Sequence, residues 1–419
     1  MRDDCAPEVN SPEESKPAMF FAPISVVIPE GASNSDENKL GSRSRLGWAR
    51  GCVCLLVLAS IGVSIGRAGA QQAAAPKPDE VAPRFDDLAG RAAAARDGGN
   101  LPLAIDLYGQ AERVKPDWAE GWFYLGLLQY SANAFPAAID AFNHLLALQP
   151  GVPPGLALRG LCEFETGAYD DALRDLEQGV AKGAANEPRN EQILRYHLAE
   201  LLTRSSRFQD ALAQYKFFAA KNIQDEDVLV GLGLAGMRTP LLTKDAPAGM
   251  REMYQAAGAA GYALLAENTQ EADGMFNQLF ARYPTMPNLH FFYGFLLFPH
   301  TPELAIDQFK SEVAVAPGNL EAHAMLAFTL MIASRYAEAE PEAELVLAKE
   351  PDMEMVQLAL GRSLAEIGDV KRGSELLKQV LQADPDNLEA HLGMASIYSR
   401  TGRREDAYRE HMVCRNLAK

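Results

Sequence analysis

A period of thirty-four residues runs through this chain and restricts it to a stack of like-sized units. Pairs of small residues twelve positions apart carry the period: Ala92 with Ala104, Gly126 with Ala138, Gly160 with Ala172, Ala199 with Ala211, Ala260 with Ala272, Ala327 with Ala339, Gly361 with Gly373 and Ala395 with Ala407. Gly294 and Ala305 form a further pair, one residue short. Four residues after most second members stands a large side chain: Tyr108, Phe142, Leu176, Tyr215, Phe276, Phe309 or Leu377. Twelve residues after, there is often a proline: Pro116, Pro150, Pro284, Pro317, Pro351 or Pro385. Antiparallel helices approach closely only where small residues face each other, and the bulky residue one turn on fills the gap to the next helix. Proline then ends the pair and turns the chain into the next one. In Asp384-Pro385-Asp386-Asn387, Asn387 or Asp386 is placed to cap the following helix.

Composition agrees with packed helices. The chain has 419 residues, is 48% hydrophobic and only 8% aromatic, and is rich in Ala and Leu. Its formal net charge of −17 argues against nucleic acid as a partner, because phosphate binding needs a cationic face. The five cysteines, Cys5, Cys52, Cys54, Cys162 and Cys414, show neither CxxC spacing nor clustering with His, which argues against a metal site. Cys162 and Cys414 are expected to be small buried hydrophobes.

The N-terminal residues lie outside the period. Residues 1–42 mix Pro, Ser, Asn and acidic residues and read as a disordered extension. Arg43, Arg45 and Arg50 lead into the apolar run 51–66, which closes on Ala68-Gly69-Ala70. A basic start, a short apolar middle and a small-residue end describe a secretory signal over residues 43–70. The run spans about 24 Å as a helix, short for a bilayer core of about 30 Å. The alternative is an uncleaved anchor through residues 51–66. The signal begins late, which suggests a translation start downstream of Met1. Residues 71–83 read as a Pro/Ala linker. The expected location is periplasmic or secreted, in a bacterium judged from the signal style and the Ala-rich composition.

No catalytic motif survives its context. Gly231-Leu-Gly233-Leu-Ala-Gly236 matches G-x-G-x-x-G, but a dinucleotide fingerprint needs a preceding strand, and here helical repeats flank it; close helix packing is the expected reason for the glycines. His290, His323 and His391 recur at the fourth residue of successive first helices, which indicates structural register. HExxH, G-x-S-x-G and P-loop motifs are absent. No cofactor and no metal are expected.

The repeat pattern closely resembles the tetratricopeptide repeat family, best in the second repeat with Trp122, Leu125, Gly126, Ala138, Phe142 and Pro150. The resemblance covers nine repeats, beginning near Phe85, Ala119, Pro153, Gln192, Met253, Pro287, Leu320, Glu354 and Leu388. It implies an all-α solenoid of antiparallel helix pairs wound into a right-handed superhelix. Repeats one to four occupy residues 84–224, repeats five to nine residues 253–419, and residues 225–252 form an irregular helical insert with one helix from Val228 to Met237, interrupted at Pro240. A break or kink is expected there. The last repeat has no extra capping helix, and His411 replaces its bulky apolar residue.

In this family the first helices line a groove in which ligands lie. The groove-facing positions here include Phe123, Leu127 and Tyr130 in repeat two, Leu161 and Phe164 in repeat three, Tyr196 in repeat four, Phe291, Phe295 and Phe298 in repeat six, and Phe328, Met331 and Ile332 in repeat seven. Several first helices are thus apolar on both faces and must be covered on both. Either neighbouring repeats bury these residues, or they form an apolar groove for a peptide, a partner helix or the protein's own tail. Only Arg204, Arg362 and Arg400 occupy groove positions as isolated cations, which disfavours a carboxylate clamp. The expected function is a non-enzymatic interaction scaffold in the cell envelope. Two alternatives remain: a membrane-anchored subunit of an envelope assembly machine, and an enzyme with a site in residues 226–252.

Overall fold

A computed structural model describes residues 84–185 and 188–418. All regular structure among them is helical, and they divide by internal packing into residues 84–318 and residues 319–418. The N-terminal extension, the apolar run 51–66 and the linker lie outside the described residues. Among those described, no helix is long and apolar enough to cross a membrane.

Residues 84–318 begin with four helix pairs: α1 (Phe85–Asp97) with α2 (Leu101–Val114), α3 (Ala119–Ser131) with α4 (Phe135–Leu148), α5 (Pro153–Thr166) with α6 (Tyr169–Ala181), and α7 (Pro188–Arg204) with α8 (Phe208–Ala220). A single helix α9 (Glu226–Gly236) follows, then a connection with one 3-10 turn, Thr243–Asp245. Next come α10 (Arg251–Leu265), α11 (Thr269–Arg282), α12 (Leu289–Leu297) and α13 (Pro302–Val315). Residues 319–418 hold three pairs: α14 (Leu320–Ile332) with α15 (Tyr336–Leu347), α16 (Glu354–Ile367) with α17 (Val370–Ala383), and α18 (Leu388–Arg400) with α19 (Arg404–Leu417).

The hairpins share one local device. The turn between the two helices of a pair is closed by a residue with positive φ at the fifteenth position of the repeat: Gly99, Asn133, Gly167, Ser206, Glu267, Ser334, Gly368 or Gly402. The next amide reaches back five residues, as from Ala134 N to Gln129 O at 2.8 Å and Arg335 N to Leu330 O at 2.8 Å, which satisfies the free carbonyls at the helix end. Repeat six is one residue short, its first helix α12 ends early at Leu297, and no positive φ appears there.

The join between pairs has its own device. The fourth residue of a first helix donates to the carbonyl of the preceding turn's proline: Trp122 Nε1 to Pro116 O at 2.8 Å and Gln357 Nε2 to Pro351 O at 2.7 Å, with His391 Nε2 within 2.9 Å of Pro385 O. His391 and His323 at this position also meet a carboxylate nineteen residues on, Glu410 at 2.6 Å and Glu342 at 2.5 Å, and His290 meets Gln308 at 2.8 Å. The recurring histidines therefore lock helix pairs. Asn387 caps α18 by accepting from Ala390 N at 3.0 Å.

The small residues sit where the helices cross. A Cβ on Gly126 would lie 2.7 Å from the Phe142 ring, one on Gly361 3.0 Å from Leu377 Cγ, and one on Gly373 3.0 Å from Gly361 O. The bulky residue thus lies first over the glycine of its own pair. Leu377 also reaches Gly393 of the next first helix, so it fills the gap between repeats as well.

The helix α9 packs on α10 at closer range than any regular pair. A Cβ on Gly233 would overlap the Tyr254 carbonyl, and one on Gly258 would overlap the Leu229 carbonyl. Gly231 and Gly236 face the Tyr215 hydroxyl and the Phe292 ring with as little room. The G-x-G-x-x-G glycines are therefore packing glycines. Every residue from Val228 to Gly236 is buried. Cys162 and Cys414 are buried, and burial pushes the Cys162 thiol up to about 12.

Candidate partner-binding faces

Of the twelve residues expected to line a groove, only Ile332 is exposed. Phe164, Phe291 and Met331 are buried, while Phe123, Leu127, Tyr130, Tyr196, Phe295, Phe298 and Phe328 are half-buried. Tyr130 packs edge-on against Phe135 at 5.9 Å. Phe291 stacks on Phe295 at 6.2 Å and tilts against Phe309 at 5.7 Å, while its amide donates to the buried Glu312 carboxylate at 3.2 Å. The Arg238 guanidinium lies 5.1 Å from the Phe291 ring centre and 4.8 Å from that of Phe208. Arg238 gets there because it holds a positive φ of 54° immediately after α9.

The first-helix face of α5 and α7 is filled from within the chain. The connection between α9 and α10 folds back on it through Thr243 and Lys244, and Leu242 and Thr243 are 1% and 3% exposed. Thr243 is gripped through every polar group. Its amide donates to Glu200 Oε1 at 2.8 Å, its hydroxyl accepts from Tyr196 at 3.3 Å, and its carbonyl accepts from Arg251 Nη1 at 2.9 Å. Arg251 also reaches Asp227 at 2.6 Å and Glu226 at 3.2 Å, tying the segment to the start of α9. Lys244 places its ammonium 5.6 Å from the Phe164 ring centre and 5.4 Å from that of Tyr169. The Tyr169 hydroxyl beside it raises the ammonium pKa. Burial raises the pKa of Glu200, opposed by the Thr243 hydrogen bonds, and burial likewise raises Tyr196. Phe164 and Tyr196 belong to the sequence-derived groove. Thr243, Lys244, Glu200 and Arg251 do not, because no periodicity joins Thr243 to a residue forty-three positions earlier.

The face formed by α14, α16 and α18 is built differently. These first helices pack side by side. Arg362 on α16 reaches Glu389 on α18 at 3.7 Å, and Arg400 on α18 reaches Glu366 on α16 at 3.2 Å. Arg362 also pairs with Glu366 within its own helix. Burial would raise the Glu366 pKa, but hydrogen bonds from Arg362, Ser396 and Arg400 outweigh it and hold the carboxyl below its ordinary value. Apolar side chains share these positions: half-buried Phe328, Met355 and Leu392, and Ile332, which is 41% exposed. The isolated groove arginines are therefore paired. Arg204 likewise lies 3.9 Å from Asp170 and over the Tyr169 ring at 4.6 Å.

Residues 84–318 also bury carboxyls outside this face. Glu112 is 2% exposed, and burial followed by the nearby Asp117 pushes it up to about 8. Glu163 is raised to about 7 by burial and by Asp175, against the pull of Arg159. Arg159 itself bridges Asp175 at 2.5 Å and Asn143 at 2.8 Å, joining α4, α5 and α6. Among the described residues no group of three or more His, Cys, Asp or Glu side chains is placed to hold a metal ion.

Two family models described as tetratricopeptide repeat match the chain, over residues 90–153 and 364–410. No curated protein sequence matches it. Solved structures with likeness include MamA AMB-1, at 19% identity over 39% of this chain and 97% of that one, with a TM-score of 0.34. MamA from Desulfovibrio magneticus RS-1 is 17% identical over 39% of this chain and 93% of its own, with a TM-score of 0.34. Yeast Tom70 is 14% identical over 80% of this chain and 83% of its own, with a TM-score of 0.29. Likenesses of this strength do not bear on function.

Proposed function

Because the chain belongs to the tetratricopeptide repeat family, we propose that it is an exported, non-enzymatic scaffold that holds a protein partner against the first-helix face of α14, α16 and α18. The observation carrying this reading is the pair of ion bridges between α16 and α18. They put the groove positions of successive repeats on one continuous face, beside an exposed Ile332. Apolar burial supplies the affinity of such a contact, and charges at its margin select the partner and speed its arrival. The partner proposed is a peptide or helix with apolar anchors.

Ile332→Asp tests the reading, because an exposed side chain can change with little effect on the fold. Wild-type protein is expected to retain a partner from envelope extract, and Ile332→Asp to lose it with an unchanged melting curve. Equal retention by both overturns the proposed face. Export is tested separately by N-terminal sequencing of envelope fractions, with a mature chain expected to begin at Gln71. Recovery of the unprocessed chain from the cytosol sinks the export proposal, and an unprocessed chain in the membrane fraction replaces it with anchoring through residues 51–66.

A further inference from the structure

The segment 241–245 is held as a bound peptide is held. Its residues lie on first-helix positions that the repeat register assigns to ligands; one hydrogen bond, Asp245 N to Leu242 O at 2.9 Å, closes its own turn, and the partners that hold Thr243 come from outside the segment. Leu242 is inserted as an apolar anchor, 1% exposed. The amide, hydroxyl and carbonyl of Thr243 are all engaged, by Glu200, Tyr196 and Arg251. Lys244 rests against the faces of Phe164 and Tyr169, an arrangement in which aromatic rings attract a cation. Reading a backbone amide and a carbonyl on one residue fixes the main-chain direction of whatever lies there. The side-chain contacts then select an apolar residue, a hydroxyl residue and a cation in that order.

We infer that the first-helix face of α5 and α7 is a peptide-binding site that the chain occupies with its own residues 241–245, and that its ligand class is a short segment of sequence apolar–hydroxyl–cationic that turns once as a 3-10 turn after its apolar residue. The inference rests on the reading that first-helix faces take ligands. It concerns a different face from the one proposed for α14, α16 and α18, so the two fail independently. In the intact chain the intramolecular segment is present at high effective concentration, and an external peptide must outcompete it.

The test uses the full chain with Leu242, Thr243 and Lys244 each changed to Gly, which keeps the length of the connection. The probe is a labelled synthetic peptide of residues 239–246, Thr-Pro-Leu-Leu-Thr-Lys-Asp-Ala. Fluorescence anisotropy is expected to show saturable binding to the triple variant and at least tenfold weaker binding to wild type. Peptides in which Thr243 becomes Val or Lys244 becomes Ala are expected to bind at least tenfold more weakly than the parent. A triple variant with wild-type helical content that does not bind the peptide overturns the inference. Hydrogen exchange on the wild-type chain decides the matter if the triple variant fails to fold. A Thr243 amide that exchanges by a local opening, faster than the amides of α9 and α10, supports a displaceable ligand. A Thr243 amide that exchanges only together with those helices shows a fixed part of the core and overturns the inference. Ile332→Asp, read by partner retention, is unaffected by either outcome.

Discussion

Residues 84–318 and residues 319–418 are made from the same hairpin, yet they treat polar groups in opposite ways. In the first region carboxyls are buried and pushed toward neutrality: Glu112 to about 8, Glu163 to about 7, with Glu200 raised as well. In the second, arginines hold carboxyls in the charged form. Hydrogen bonds from Arg409 and Arg403 lower Asp406, and hydrogen bonds from Arg362, Ser396 and Arg400 outweigh burial to lower Glu366. The first-helix faces differ in the same sense, one covered by the connection between α9 and α10 and the other carrying ion pairs beside an exposed Ile332. One repeat framework thus supports either a closed or an open face. Which it becomes depends on whether an insertion is available to cover the first helices.

The largest expected effect tests how closed the first region is. Phe291 is 2% exposed, so Phe291→Ala should cost about 3–5 kcal/mol, while half-buried Phe328 in the second region should cost less on the same change. Trp118 and Trp122 lie in the first region and the second contains no tryptophan. In a chain beginning at Gln71, which lacks Trp48, tryptophan fluorescence therefore follows residues 84–318, while far-UV circular dichroism follows both. If Phe291→Ala costs no more than Phe328→Ala in denaturant unfolding followed by circular dichroism, the difference in burial between the two faces collapses.

Glycine substitutions give the next effect. Gly258→Ala forces a Cβ against the Leu229 carbonyl, where only a helix shift relieves the overlap, and should cost about 3 kcal/mol. Gly361→Ala meets side-chain atoms only, Leu377 Cγ at 3.0 Å and Leu376 Cβ at 3.1 Å, which need give by a few tenths of an ångström, and it gains helix propensity, so its net effect should stay within about 1 kcal/mol. Equal costs for the two in denaturant unfolding would falsify the distinction between backbone and side-chain crossings. Ala138→Leu falls between them at about 1–3 kcal/mol, because Ala138 is fully buried in the α3–α4 pair. Loss in an array can stay local, so fluorescence and circular dichroism should both be followed.

The smallest effect concerns pH. A raised carboxyl keeps its proton when folded and releases it above about 4.3 when unfolded. Residues 84–318 should therefore be most stable below that value and lose stability as pH rises through 7 to 8, toward the raised values of Glu163 and Glu112. Residues 319–418 should behave oppositely. The lowered Glu366 and Asp406 contribute stability above about 4.3, and it is lost as pH falls through their folded values. Between pH 5 and pH 8 the denaturant midpoint followed by fluorescence should thus fall, while residues 319–418, followed by circular dichroism, should hold steady there and lose stability only below about 4.3. Glu112→Gln should flatten the fluorescence shift, because it removes a group that titrates between the two pH values. A wild-type fluorescence midpoint that rises between pH 5 and 8 contradicts the assignment.

The sequence by itself determined the hairpin and its register. The twelve-residue spacing of small residues is local, so it fixes how each pair crosses, and Gly126 under Phe142 and Gly361 under Leu377 follow from it. The recurring histidines were legible for the same reason, since each partner lies eighteen or nineteen residues on within one repeat. The packing role of Gly231, Gly233 and Gly236 was legible from their helical setting. Only the tertiary structure decided which groove-facing residues are covered. An apolar residue such as Phe164 or Phe291 reads the same whether a partner, a neighbouring helix or the chain itself lies over it. The choice was made by contacts with no period. Glu200 meets Thr243 across forty-three residues, Lys244 reaches Phe164, and Arg238 turns through a left-handed residue to cover Phe291. Repetition in the sequence specifies interactions that every repeat makes; an insertion makes its contacts once, and only the folded chain shows where they fall.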